Sequence, residues 1–254
     1  MLMPRVIPVL LFREGGLYKT TRFKDPVYVG DPINAVKIFN EKEVDELVFV
    51  DITATTEKRR PDFERIREIA GECFMPLCYG GGVRSIEDAK QVIACGVEKV
   101  AINSYAVENP NFVRDAASEL ASSTIVVSID AKRDFLGKYH LYTHGGKKRA
   151  NWHPIEFAIL MEKMGAGEIL LTSIDRDGTQ KGYDVELIKS VADAVSIPVI
   201  ACGGAGQVSD FSQALESHAS AVAAGSMFVF HGRHRAVLIS FPSQQELKQA
   251  FSKL

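Results

Sequence analysis

Two glycine runs, each set just after an apolar segment, are the residues of this chain best suited to chemistry. Gly80-Gly81-Gly82 follows Pro76-Leu77-Cys78-Tyr79, and Gly203-Gly204 follows Pro198-Val199-Ile200-Ala201-Cys202. Backbone N–H groups approach a phosphate closely only where no Cβ intervenes, so Gly81, Gly82, Gly203 and Gly204 are candidate phosphate-binding residues. At the same offset Asn103-Ser104 falls on Gly225-Ser226, and each pair completes a cradle with a hydroxyl and helix-opening amides. Asp177 and Gly178, in an N–H-rich turn that reads Ile174-Asp175-Arg176-Asp177-Gly178-Thr179, join the phosphate-binding candidates. A tight-turn role accounts for one glycine run. Two runs in matched register, each with a strand-end hydroxyl, point to two anion sites and a ligand phosphorylated at both ends.

Strand-end polar residues are the second group. Asp130 closes the apolar run Ile125-Val126-Val127-Ser128-Ile129-Asp130, Asp51 closes another, and Thr172-Ser173 ends a third. An ionisable group at the C-terminal end of a barrel strand reads as catalytic or ligand-positioning. That makes Asp130 the catalytic candidate and Asp51, Thr172 and Ser173 the positioning candidates; the plainer role for an aspartate there is to cap the next helix. A third group sits at the opposite ends of the strands. Arg5, Glu46, Lys99 and Glu168 begin or precede strands, and alternation turns all four towards one axis. They read as a ring of salt bridges that also plugs an axial pore. His231 and His234 have no third metal ligand nearby, and His140, His144, His153 and His218 have no metal spacing, so no metal or cofactor is expected.

The elements that must hold these groups alternate. Strand candidates are Val6–Leu11, Glu46–Asp51, Pro76–Tyr79, Lys99–Ile102, Thr124–Asp130, Glu168–Ser173, Pro198–Ala201 and Ala221–Ala224, with amphipathic stretches between them. Eight strands each followed by a helix is the count of a (β/α)8 TIM barrel, an α/β fold, and residues 1–254 read as one domain. Its internal repeat makes two duplicated half-barrels, roughly residues 1–122 and 123–240. Phe12–Pro32 and Lys132–Trp152 are longer connections at equivalent places, the second able to form a hairpin, and both belong to the face where barrel enzymes carry their lids. A net charge of −2 gives no electrostatic case for nucleic acid or an anionic membrane. No window approaches a membrane span, Met1–Phe12 reads as a first strand and not as a leader, and four cysteines without paired spacing predict free thiols in the cytoplasm.

These residues resemble the cyclase subunit of imidazole glycerol phosphate synthase over almost the whole chain. The segments that carry the resemblance are Asp45 to Ala54, Gly80 to Gly82, Ala106 to Pro110, Ile129 to Arg133, Gly165 to Thr179 and Gly203 to Gly206, the fifth of them very specific. The resemblance implies a barrel that binds a bis-phosphorylated ribulosyl nucleotide, with a glutaminase docked at its N-terminal face as a heterodimer. It further implies that Arg5, Glu46, Lys99 and Glu168 form a gate through which ammonia enters the barrel. One departure matters. The family closes the imidazole ring with two aspartates, at the ends of strands 1 and 5; Asp130 is one, and Leu11 stands at the other. Leucine neither gives nor takes a proton, and general acid–base help is typically worth about 10²–10⁴ in rate. Arg13, Glu14 and Lys19 are the nearby residues able to supply a lost acid. The chain is similar to cyclase-like proteins of surface-polysaccharide pathways, in which such a barrel passes ammonia to a separate sugar amidotransferase that makes an acetamidino sugar. The expectation is therefore an ammonia-relaying subunit that has lost efficient cyclisation. The alternative is a working cyclase of histidine biosynthesis, a lyase, whose acid comes from elsewhere.

Overall fold

A computed structural model describes residues 3–232 and 234–252. Met1 and Leu2 of the apolar opening, Arg233 of the His231–His234 segment, and residues 253–254 lie outside that description. The strands in chain order are β1 (Arg5–Arg13), β2 (Gly16–Thr21), β3 (Lys24–Gly30), β4 (Leu47–Asp51), β5 (Leu77–Gly80), β6 (Lys99–Ile102) and β7 (Ile125–Arg133). They continue as β8 (Tyr139–Thr143), β9 (Lys148–Arg149), β10 (Glu168–Ser173), β11 (Val199–Cys202), β12 (Ala221–Ala224), β13 (Phe230–His231) and β14 (Ala236–Val237). Eight of them, in the order β1-β4-β5-β6-β7-β10-β11-β12, pair side by side in parallel, and β12 returns to β1, so the sheet closes on itself. With helices between its strands this is the (β/α)8 barrel that the alternation predicts. Each strand candidate is found to within three residues at either end, and Lys99–Ile102, Glu168–Ser173 and Ala221–Ala224 match at both ends.

Closure sorts the apolar residues into two cores. Along β1, Val6, Leu10 and Phe12 face the helices, whereas Ile7, Val9 and Leu11 face the axis. The axial core is small and without formal charge: Ile7, Val48, Cys78, Val126, Leu170, Ile200, Ala221 and Ala223 fill it from all eight strands together with Ala101 and Val9. The outer core is far larger and includes Phe39, Phe49, Phe157, Phe211 and Phe228, each almost wholly buried under the helices. Helix entry is set locally. Asp31, Asp62, Ser85 and Asp184 each accept a bond from the backbone three residues on, which satisfies a donor the helix cannot.

The two longer connections both become antiparallel hairpins on the same face. β2 and β3 extend β1, and β8 and β9 extend β7. Their registers are equivalent: Leu11 lies opposite Tyr18, and Asp130 lies opposite Tyr142. The first hairpin is not legible as strands from its sequence, because Arg22, Phe23 and Asp25 take left-handed backbone conformations in an irregular turn.

Candidate functional site

At the N-terminal mouth, alternation brings four charged side chains into contact. Arg5 bonds Glu46 at 2.5 Å and Glu168 at 2.7 Å, while Lys99 Nζ reaches Glu46 at 2.9 Å and Glu168 at 3.0 Å. Each cation touches both anions, so charges alternate round a closed ring. Glu46 is 2% exposed. A carboxylate so placed is tolerated because two cations meet it. Burial works against the charge on Arg5, and its bonds to Glu168 and Glu46 outweigh that, so its pKa is raised. Above the ring, among the described residues, apolar side chains fill the axis up to the C-terminal face.

There the strand ends open into a cavity of about 340 Å³. Asp130 enters it from β7, 9% exposed, with Asn103 Nδ2 donating to Oδ2 at 3.3 Å. Burial, reinforced by the charge of Asp177, pushes the Asp130 carboxyl up to about 7. A carboxyl poised there can hold or release a proton near neutral pH. Leu11 lines the same cavity from β1; among the described residues the other carboxylates lining it are Asp51 and Asp177.

Gly81, Gly82, Asn103 and Ser104 all line this cavity and form the first cradle. Gly82 has φ +74°, and a Cβ there would lie 2.7 Å from the Arg59 carbonyl oxygen, so only glycine brings the chain this close. A second, smaller cavity of about 30 Å³ is lined by Gly178, Gly203, Gly204, Gly225, Ser226 and Asp177, the second cradle. Leu11 and Cys202 border both cavities. Burial pushes the Cys202 thiol up to about 12, which keeps it an uncharged packing group.

The positioning candidates divide. Thr172 lines the large cavity and is buried. Ser173 lines neither; its carbonyl accepts from Arg176 and Asp177 and so shapes the turn after β10. Asp51 borders the large cavity, but its Oδ1 accepts from Thr53 N, Thr53 Oγ1 and Ala54 N, and Oδ2 pairs with Arg59 at 3.2 Å. Its carboxylate is engaged in holding the loop after β4.

Lys19 is the residue that sequence reasoning underweighted. It sits on β2, 4% exposed, with Nζ donating to the Val9 carbonyl and reaching so near Gly225 that a Cβ there would be 2.6 Å away. Burial lowers its pKa to about 8, against the charge of Asp177, which favours the cation. Asp177 is raised by burial, with Lys19 and the Thr20 hydroxyl opposing, the latter bonded at 3.2 Å. Arg13 and Glu14, the other acid candidates, pair with each other at 2.8 Å on the exposed turn. The large cavity also takes in Thr53, Thr55, Arg84, His144 and Lys147. Arg84 had a signal in the sequence, two residues after a glycine run; His144 had none beyond its type.

A closed parallel barrel with paired glycine turns and the buried strand-end carboxyls of Asp51 and Asp130 at one face defines a (β/α)8 barrel protein. The family model described as "Histidine biosynthesis protein" matches residues 5–235, and this chain belongs to that family. It is 50% identical, over 97% of its length and 99% of the relative's, to a "Putative imidazole glycerol phosphate synthase subunit hisF2" of Pseudomonas aeruginosa. It is 46% identical to a "Putative imidazole glycerol phosphate synthase subunit hisF3" of Vibrio vulnificus, over 98% of this chain and 97% of that one. An "Imidazole glycerol phosphate synthase subunit HisF" of Alkaliphilus metalliredigens is 43% identical over 91% and 92%. No helix among the described residues is long and apolar enough to cross a membrane.

Proposed function

We propose that this chain is the synthase-side barrel of a glutamine-dependent amidotransferase system, relaying ammonia along its axis without efficient imidazole formation. The observation that carries the reading is the combination of a fully paired charge ring below and Leu11 beside Asp130 above. The ring and the apolar axis suit a neutral molecule: an ammonium ion would lose its hydration among Ile7, Val48, Val126 and Leu170, whereas ammonia loses far less. Leu11 leaves ring closure with one of the two carboxylates that the family reaction uses. The acceptor is a phosphorylated molecule held at the C-terminal face, in an amidino-sugar pathway of surface-polysaccharide synthesis, with a sugar amidotransferase completing the transfer.

The glutaminase partner docks on the N-terminal face. Phe74, just before β5, is 87% exposed there, and Met3, before β1, is 39% exposed, so two barrel strands enter this face beside exposed apolar side chains. The test is direct. Purified protein given the ribulosyl nucleotide and excess ammonium forms almost no imidazole glycerol phosphate, and Leu11→Asp raises the rate by at least about tenfold. Turnover by the unmodified protein at a rate that Leu11→Asp does not improve overturns the reading, and loss of that turnover in Lys19→Met would identify Lys19 as the acid of a working cyclase.

A further inference from the structure

The two hairpins are equivalent in register, and each reaches across to a cradle belonging to the other half of the barrel. On the first, Lys19 follows Tyr18 and enters the second cradle against Gly225. On the second, His144 follows Tyr142 by two positions, and its backbone N–H donates to Ser104 Oγ of the first cradle at 3.0 Å. Lys19 is a cation brought to one anion seat. The other hairpin brings an imidazole one position beyond Thr143, the register counterpart of Lys19.

His144 has φ +55°, in the left-handed region, with Gly145 and Gly146 after it also at positive φ. That conformation is uncommon for a side chain with a Cβ and persists where the surroundings enforce it. Here the enforcing contacts are the Ser104 bond and a 3.0 Å contact between His144 Nδ1 and Thr143 Oγ1. They hold His144 on the wall of the large cavity, which Gly81, Gly82 and Ser104 also line. Nε2 stands 3.7 Å from a Glu108 carboxylate oxygen, an ion-pair distance but too long for a hydrogen bond. Among the described residues that nitrogen has no hydrogen-bond partner, and it can donate to a ligand in the tautomer protonated there or in the doubly protonated ring. Arg84 lines the same wall, with Nη2 turned to the Thr55 carbonyl at 3.2 Å, and Lys147 is exposed at its edge.

We infer that His144 is a ligand of the phosphate monoester in the first cradle, as Lys19 stands against the second. Its Nε2–H donates to a phosphate oxygen of the monoester seated in that cradle. The consequence is specificity: the first seat selects a phosphate dianion over a carboxylate or a neutral sugar end, because Arg84 and Lys147 line the same cavity as the imidazole. The inference rests on the first cradle being a phosphate seat, and the experiment separates the two.

Inorganic phosphate is titrated into the full chain by calorimetry and by proton NMR of the imidazole C2 resonances. His144→Asn is the chosen variant, because asparagine tolerates a left-handed backbone and is too short to reach the ligand. The expected results are phosphate binding weakened about tenfold in His144→Asn and a His144 resonance that moves on adding phosphate to the unaltered protein. Binding within about twofold of normal, or a resonance that stays still while phosphate binds, overturns the role of His144 alone. Gly82→Ala binding phosphate normally, or no binding by the unaltered protein at tens of millimolar, overturns the seat and this inference with it. If His144→Asn does not fold, the resonance shift, assigned through its contact with Thr143, decides.

Discussion

The ammonium of Lys19 donates to the carbonyl oxygen of Val9, two residues before Leu11 on the same strand. β2 thereby carries a cation into the small cavity that holds Asp177, Gly203 and Ser226, which Leu11 also lines. A buried lysine is disfavoured as a cation, and here the nearby Asp177 only partly offsets that.

The first prediction follows from its pKa, lowered from 10.5 to about 8. Between those values the unfolded chain binds more protons than the folded one, so this residue makes stability rise with pH across that window. Below pH 8 both states are protonated and the full penalty is present. Lys19→Met removes the rise. Urea unfolding at pH 8 and pH 10 checks it: the variant shows a smaller gain between the two than the unaltered protein, tyrosines and cysteines contributing equally to both.

Asp130 has the opposite linkage. Its pKa is raised from 3.8 to about 7, so the folded state binds the extra proton between those values and stability falls as pH rises through them. Above pH 7 the buried charge destabilises in full. Asp130→Asn is therefore expected to stabilise the fold at pH 8 by roughly 2–4 kcal/mol and to change little at pH 4. Unfolding curves at the two pH values check it. An equal effect at both would mean that packing, not ionisation, sets the change.

The barrel and its cradles were legible because their signals are local and repeated. The run Gly80-Gly81-Gly82 and the pair Gly203-Gly204 stand where Cβ atoms would strike backbone, and the period-two alternation on β1 carries Arg5 to the axis along with Ile7 and Val9. What the sequence did not show depends on hairpin geometry. Lys19 and His144 reach the cradles only because β2 and β8 fold back over the barrel mouth, with registers that irregular turns decide. Asp51 reads as a ligand-positioning carboxylate by place alone; the Thr53, Ala54 and Arg59 bonds that occupy it arise from a loop whose path no spacing foretells.

Glu46 is the most buried member of the charge ring. Removing its charge leaves Arg5 and Lys99 sharing Glu168 alone, an excess of positive charge at a narrow mouth. Glu46→Gln is expected to lower stability by roughly 1–3 kcal/mol, less than the full effect of breaking a buried pair because Arg5 and Lys99 keep some solvent contact. The same variant should slow ammonia transfer from a docked glutaminase while leaving reactions supplied with external ammonium unchanged. Thermal unfolding measures the first, and comparing glutamine with ammonium as nitrogen source measures the second.

Gly178 ties the turn after β10 to the first hairpin. Its φ is +69°, and a Cβ there would lie 2.1 Å from the Thr20 carbonyl oxygen and 3.0 Å from the Thr21 Cα. These are backbone atoms that cannot swing aside, so Gly178→Ala must push β2 away from the second cradle. Gly145 supplies the control, since its φ is +63° and nothing lies within 4 Å of a Cβ built there. Gly145→Ala meets only the left-handed backbone penalty, about 1 kcal/mol. Gly178→Ala meets that penalty and the clash, for roughly 2–4 kcal/mol in all. Because β2 carries Lys19, the displaced hairpin withdraws the cation from Gly225 and Ser226, and the environment of Asp177 changes with it. The measurement is a pair of unfolding curves together with the reactivity of Lys19 towards an amine-modifying reagent. Gly178→Ala should expose that lysine to modification, and Gly145→Ala should leave it protected.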